Sequence, residues 1–260
     1  MKALTLVSVS AAALLAASPV AAQDKTNWTG PYLGAHVGYG TGDWDGTLST
    51  SAGCPGTCAD SGFTDPTRSL NGDGILGGIQ AGYNWQFANS PIVVGFEADI
   101  SWDDISGQGT AATDKYNPWV WSKQHDLSLD YFGTARARIG LAQGPFLPYI
   151  TGGLAWGKTS GTLAVSQSHD GTGSIIDGTS HAYSDDTHVG WTIGGGLEYR
   201  VSDAWSLKAE YLYMDLGHAD YAFKDGTVFD DPKGAAFDTD SFSSDLKMHV
   251  VRVGLNYHFN

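Results

Sequence analysis

The last eleven residues, VVRVGLNYHFN, alternate strictly: Val251, Val253, Leu255, Tyr257 and Phe259 fall on one side of an extended strand, and Arg252, Gly254, Asn256 and His258 on the other. Successive strand side chains point to opposite faces, so this period of two asks for one apolar and one polar environment. The same pattern recurs upstream and predicts strands at about 30–40, 74–87, 91–103, 127–142, 147–158, 187–201, 204–215 and 247–259. Their connections alternate in length. Residues 88–90, 143–146 and 202–203 are tight turns marked by Asn-Ser-Pro, Gln-Gly-Pro and Ser-Asp, whereas 41–73, 104–126, 159–186 and 216–246 are long and polar. An even number of strands with long loops at one end and short turns at the other is the layout of a bacterial outer-membrane barrel. The predicted fold is therefore all-β: an eight-stranded antiparallel transmembrane β-barrel with four long extracellular loops, both termini lying on the periplasmic side.

The two faces can be read residue by residue. On segment 74–87, Ile75, Ile79, Ala81, Tyr83, Trp85 and Phe87 oppose Leu76, Gln80, Asn84 and Gln86; on 91–103, Ile92, Val94, Phe96, Ala98, Ile100 and Trp102 oppose Glu97, Asp99 and Ser101. On 127–142, Leu127, Leu129, Tyr131, Ala135, Ala137 and Ile139 oppose Asp130, Thr134, Arg136 and Arg138. A soluble lipocalin-like barrel would alternate too, with its apolar face inward. Aromatics at both ends of the apolar face favour the inverted, membrane arrangement: Tyr39, Trp102, Trp156, Trp191 and Tyr213 at one rim, and Trp85, Phe87, Tyr199, Trp205, Tyr257 and Phe259 at the other. Rings of this kind sit at the two headgroup levels of a bilayer.

The polar face is balanced in sign. Glu97, Asp99, Asp130, Glu198 and Glu210 are expected inside, together with Arg136, Arg138, Arg200, Lys208 and Arg252. Depth counted from the short turns puts Glu97 and Asp99 near Arg136 and Arg138, Glu198 near Lys208, and Glu210 near Arg252. A lumen of eight strands is just wide enough for side chains to fill, so paired ions are expected to plug it; a narrow conduction path for small solutes is the alternative. His36 and His258 are also expected inside, brought toward each other where the first and last strands close the sheet.

Composition adds the compartment. Lys2, the apolar run Ala3–Ala17 and the small residues Val20-Ala21-Ala22 read as a cleaved signal peptide over 1–22, leaving 23–260 as one barrel domain. The 35 glycines and 12% aromatics suit a closed sheet. Cys54 and Cys58, the sole cysteines, are expected to form a local disulfide in an oxidising compartment. The net charge of −14 is almost wholly a property of the long loops, the last of which carries Asp220, Asp225, Asp230, Asp231, Asp238, Asp240 and Asp245. So acidic an exterior disfavours nucleic acid as a partner. It suits instead a solvated, self-repelling surface, or divalent cations bridging to phosphate-bearing lipid. Asn71-Gly72-Asp73-Gly74 is too short a match to a calcium loop to count as a site.

The segments WTGPYLGAHVGYG, GILGGIQAGYNWQF, IVVGFEADISW, YFGTARARIGLA, LPYITGGLAWG, VGWTIGGGLEYR, WSLKAEYLYMDLG and VRVGLNYHF together resemble the outer-membrane β-barrel family of alphaproteobacteria, which includes the RopB-type major surface proteins and is similar to the OmpA and opacity-porin barrels. The resemblance runs through every strand and leaves out the long loops. It implies an integral protein of the Gram-negative outer membrane, surrounded by outer-membrane lipid and lipopolysaccharide, with a role in envelope integrity or contact with host surface molecules. It also implies that Tyr257 and Phe259 form the signal read by the barrel-assembly machinery, although Asn260 follows where family members commonly end on an aromatic residue.

Other functions have less support in the residues. Some members of the resembled family bind hemin, which needs an exposed His or Tyr ligand; His125, His169, His181, His188, His218, Tyr183 and Tyr221 lie in or near the loops, and no spacing singles one out. A hydrolase needs a nucleophile and base held together by the fold. Ser168-His169-Asp170 is merely sequential, and His249 with Ser241, Ser243 and Ser244 is an ordinary polar stretch. The expectation is a non-enzyme with no cofactor and no metal site.

Overall fold

The structure, a computed structural model, describes residues 27–53, 63–110, 114–116, 119–169, 180–223 and 236–259. The expected signal peptide, Cys54, Cys58 and Asn260 lie outside the described residues. Ten strands follow in order: β1 Gly30–Gly53, β2 Phe63–Gln86, β3 Ile92–Asp103, β4 Ser106–Thr110, β5 Asp114–Tyr116, β6 Trp119–Leu141, β7 Phe146–His169, β8 Ser180–Arg200, β9 Trp205–Phe223 and β10 Ala236–His258. Eight of them form the wall. β1 pairs with both β2 and β10, and each remaining neighbour along the circuit pairs antiparallel with the next, so the sheet closes on itself. β4 and β5 are short additions that pair with β6.

The short turns fall where Gly, Pro and Asn permit them. Asn89 and Gly144 take positive φ, at 58° and 59°, and Phe146 N–H donates to the Gln143 carbonyl across the turn between β6 and β7. Phe259 N–H reaches the Pro31 carbonyl at 3.1 Å, so the described chain begins and ends at the short-turn end.

The strand ends differ from the sequence reading. Segments expected as long loops continue as sheet: β1 runs on to Gly53, β2 starts at Phe63, and β6 and β7 stay paired from Trp119–His169 downward. Beyond the outer aromatic rim the apolar alternation that marks a strand fades from the sequence, although backbone pairing continues.

The wall is inverted relative to a soluble protein. Ile75 is 71% exposed, Val189 68%, Ile150 66% and Val37 62%, while Gln80, Glu198, Thr151 and His36 on the inward faces of the same strands are buried. A contiguous apolar belt of this extent would not be left in water by a soluble monomer. Backbone groups in hydrocarbon must all be paired, and the closed ladder pairs them. Within the belt, Gly133 lies under the ring of Trp156 on the neighbouring strand: a β-carbon there would stand 2.5 Å from the indole. A large ring covering a cross-strand glycine is a recurrent way of restoring packing on a sheet surface.

Candidate functional site: a three-layered lumen

The interior divides into three layers. The central one is ionic. Arg136 Nη2 lies 2.5 Å from Glu97 and 2.9 Å from Asp99, and its Nη1 lies 3.0 Å from Glu210. Arg252 reaches Asp99 at 3.1 Å and Glu210 at 2.6 Å; Lys208 reaches Glu97 at 2.8 Å; Arg138 reaches Glu198 at 2.6 Å. Four acids thus meet four bases with no net charge. Alternation along the strands supplies this placement. Glu97 sits opposite Arg136 in the β3–β6 ladder and Arg252 opposite Glu210 in the β10–β9 ladder.

Neutral groups complete the hydrogen bonding. Tyr32 donates to Glu97 at 2.8 Å, Tyr149 to Glu210 at 2.9 Å, Thr134 to Asp99 at 2.6 Å, and Ser206 and Asn256 to Glu198 at 2.5 and 2.8 Å. Tyr32 fits because Gly82 opposite it has no side chain; a β-carbon there would collide with the Tyr32 hydroxyl. The Arg138 guanidinium also stacks over the Tyr149 ring at 4.2 Å. Charges taken out of water cost several kcal/mol each unless paired and fully hydrogen-bonded. This arrangement comes close to that condition by spreading each guanidinium over two or three partners, with Arg138 Nε left unbonded.

Below the ions lies a floor. Trp28, Val93, Ala142 and Leu147 form an apolar cluster, with Trp28 completely buried. The chain ahead of β1 folds under the barrel, its Trp28 N–H bonded to Gln86 Oε1 at 3.1 Å. Above the ions lies an apolar layer of Leu76, Ile105, Leu129, Phe132, Ala155, Leu212, Met214, Leu216, Leu246, Met248 and Val250. Beside two of these, the same local hydrogen bond recurs: Asp103 Oδ1 accepts the Ile105 N–H at 3.1 Å, and Asp215 Oδ1 accepts the Gly217 N–H at 3.0 Å, where Ile105 and Leu216 keep the inward parity of the strand positions before them. Gly217 takes φ 76°, which a glycine adopts without strain.

Four expectations are corrected. Asp130 is not in the lumen. The β6–β7 register shifts between Leu129 and Tyr131, making Asp130 the extra residue of a bulge, exposed and bonded by Ser160 at 2.7 Å, while Leu129 turns inward. Arg200 is buried but belongs to the floor, where it donates to the carbonyls of Asp203 and Asn27 and stacks on Trp28 at 4.7 Å. Glu198 and Lys208 do lie side by side as ladder partners, but their ion pairs are made elsewhere, Glu198 with Arg138 two strands away and Lys208 with Glu97 on the opposite wall. His36 and His258 face inward at different depths. His36 bonds Gln80 and Ser101, and His258 bonds Ser206.

Outside the lumen, Tyr39 donates to Asp73. His188, expected near a loop, is buried against Thr159 at 3.1 Å. The other loop histidines have no described side chains. Among the described residues no group of three or more His, Cys, Asp or Glu side chains is arranged to hold a metal ion. Trp28, the floor cluster and the apolar upper layer are features that sequence reading missed; their inward parity was legible, but parity alone does not distinguish a polar lumen from an apolar one.

An apolar, aromatic-rimmed outer face around a buried, neutral ion cluster defines an integral outer-membrane β-barrel. A family model described as "Outer membrane protein beta-barrel domain" matches residues 10–259, and the chain belongs to that family. The 31 kDa outer-membrane immunogenic protein of Brucella melitensis is 33% identical over 254 residues, covering 97% of this chain and 91% of the relative. The 22 kDa outer membrane protein of Rhizobium leguminosarum bv. viciae is 27% identical over 235 residues, covering 90% and 79%. These relatives place the chain among the outer-membrane barrels of alphaproteobacteria. Among solved structures, the outer membrane protein OprG from Pseudomonas aeruginosa is 12% identical, with 90% of this chain and 98% of that chain covered and a TM-score of 0.46.

Proposed function

We propose that this protein serves the envelope as a structural and surface-interaction barrel, and is neither a solute pore nor an enzyme. The layered lumen carries this reading. A solute crossing the barrel would have to displace the Trp28 floor, break a neutral cluster of four acids and four bases, and pass an apolar layer containing Phe132, Leu216 and Met248. The strands that continue beyond the outer rim support a role in presentation, since paired sheet extends past the apolar belt. Relatives named as immunogenic outer-membrane proteins support a surface exposed to a host.

In this reading residues 1–22 direct export, Cys54 and Cys58 form a loop disulfide, and Tyr257 and Phe259 address the chain to the assembly machinery. Outer-membrane lipid and lipopolysaccharide are its standing partners, and host surface molecules its outward ones. The test is conductance of the purified protein in a planar bilayer. The expected record has no steady open level at any moderate voltage. A stable, ohmic open state would overturn the sealed-lumen reading in favour of a narrow porin.

A further inference from the structure

On the outward face of β10, at the outer rim, His249 stands beside two tyrosines of β9. The Tyr211 hydroxyl lies 2.7 Å from His249 Nδ1. The imidazole centroid is 6.1 Å from the Tyr211 ring and 5.2 Å from the Tyr213 ring, and Trp191 of β8 extends the patch at 5.5 Å from Tyr213. Lys247 is the next outward residue on β10. In the ladders, Thr41 and Tyr213 flank His249, and Asp43 and Asp215 flank Lys247.

The chemistry of this patch is specific. With the Tyr211 hydroxyl donating to Nδ1, a neutral imidazole carries its proton on Nε2 and presents it away from Tyr211. The rings hold the imidazole in place, so little side-chain freedom remains to be lost on binding. Lys247 and His249 are two residues apart on one face, about 7 Å along the strand, within reach of one tetrahedral anion. Asp43 and Asp215 across the ladders and Asp245 on the same face of β10 compete for the ammonium, Asp215 with one oxygen already taken by the Gly217 N–H. An imidazole on a lipid-facing wall is costly unless a polar partner meets it at headgroup level.

We infer that His249 and Lys247 bind the phosphate of a phosphorylated glycolipid in the outer leaflet, with the Tyr211, Tyr213 and Trp191 rings seating the sugar. Position selects this occupant. The site lies on the long-loop side of the belt, at the height of lipid headgroups. The net charge of −14 held largely in the loops repels dissolved anions, whereas a lipid phosphate arrives tethered at that height. A flat aromatic surface beside two phosphate donors suits a sugar phosphate better than a glycerol phosphate. The inference rests on the membrane placement of the belt and is independent of whether the lumen conducts.

The experiment measures lipid retained by the folded protein in native mass spectrometry from mixed micelles containing bisphosphorylated lipid A, dephosphorylated lipid A or phosphatidylglycerol. Wild type should retain bisphosphorylated lipid A about tenfold better than its dephosphorylated form, as losing a charge-assisted hydrogen bond implies. His249→Phe, which keeps the ring and removes the donor, should erase most of that preference, and Asp43→Asn should increase it. Equal retention of the two lipid A forms by wild type, or an unchanged preference in His249→Phe, would overturn the phosphate site. Equal retention of phosphatidylglycerol would overturn the choice of glycolipid. The wild-type arms decide the matter even if a variant fails to fold.

Discussion

Replacing Arg136 by Met is the perturbation that bears most directly on the lumen. Arg136 is fully buried and holds three acids, Glu97 at 2.5 Å, Asp99 at 2.9 Å and Glu210 at 3.0 Å. Methionine occupies a similar length of lumen but leaves four acids facing three bases. Lys208 and Arg252 still reach Glu97, Asp99 and Glu210, so each acid keeps a partner while the cluster acquires one uncompensated charge. Breaking a buried ion pair by removing one partner costs about 3–5 kcal/mol, and the shared partners place this variant toward the lower part of that range. Arg136→Glu should be worse, since it turns a neutral cluster into one with two excess negative charges. The double variant Arg136→Met with Glu210→Gln restores neutrality and should recover much of the loss. The assay is urea unfolding in lipid vesicles, followed by the gel shift between folded and unfolded forms. If Arg136→Met unfolds at the wild-type midpoint, or if the double variant is less stable than either single change predicts, the ions are not acting as a coupled plug.

Other outcomes follow from the layers and the belt. Arg at Ala137, on the lipid face near mid-depth, should destabilise by about 2–4 kcal/mol in the same unfolding assay, and an unaltered midpoint would mean the face is assigned wrongly. Phe132→Ala should cost about 3–5 kcal/mol by leaving a cavity in the upper apolar layer, yet produce no steady conductance, because the ionic layer and the floor remain. Gly82→Val should displace the Tyr32 hydroxyl from Glu97 and lower the midpoint by more than Tyr32→Phe, which loses the hydrogen bond alone; the reverse order in paired denaturation curves would contradict the packing argument.

The parts of this architecture that were legible in the sequence are those governed by local alternation. Ile75 to Phe87 and Ile92 to Asp103 face as the period of two requires, because a strand in a bilayer meets lipid on one side and the filled lumen on the other over its whole crossing. Asp130 was misplaced for the same reason in reverse. One extra residue in β6 resets the parity, and a bulge has no signature in the hydrophobic pattern. Leu212, Met214 and Val250 occupy inward positions of their strands but pack against one another rather than against ions; alternation reports which side a residue faces, not what it meets there. Lys208 reaches Glu97 in preference to its ladder neighbour Glu198 because a narrow lumen brings opposite walls within side-chain reach, and Glu198 turns to Arg138 two strands away. Such distances are set by closure of the sheet and are not written in any single strand.

The inverted wall is tested most directly by asking what solvent the folded chain requires. Purified residues 23–260, refolded in detergent micelles or lipid vesicles, should give a compact, heat-modifiable band on a gel, and sedimentation after detergent removal should find the protein aggregated. A monomeric, folded chain in plain buffer, free of detergent and lipid, would contradict the account.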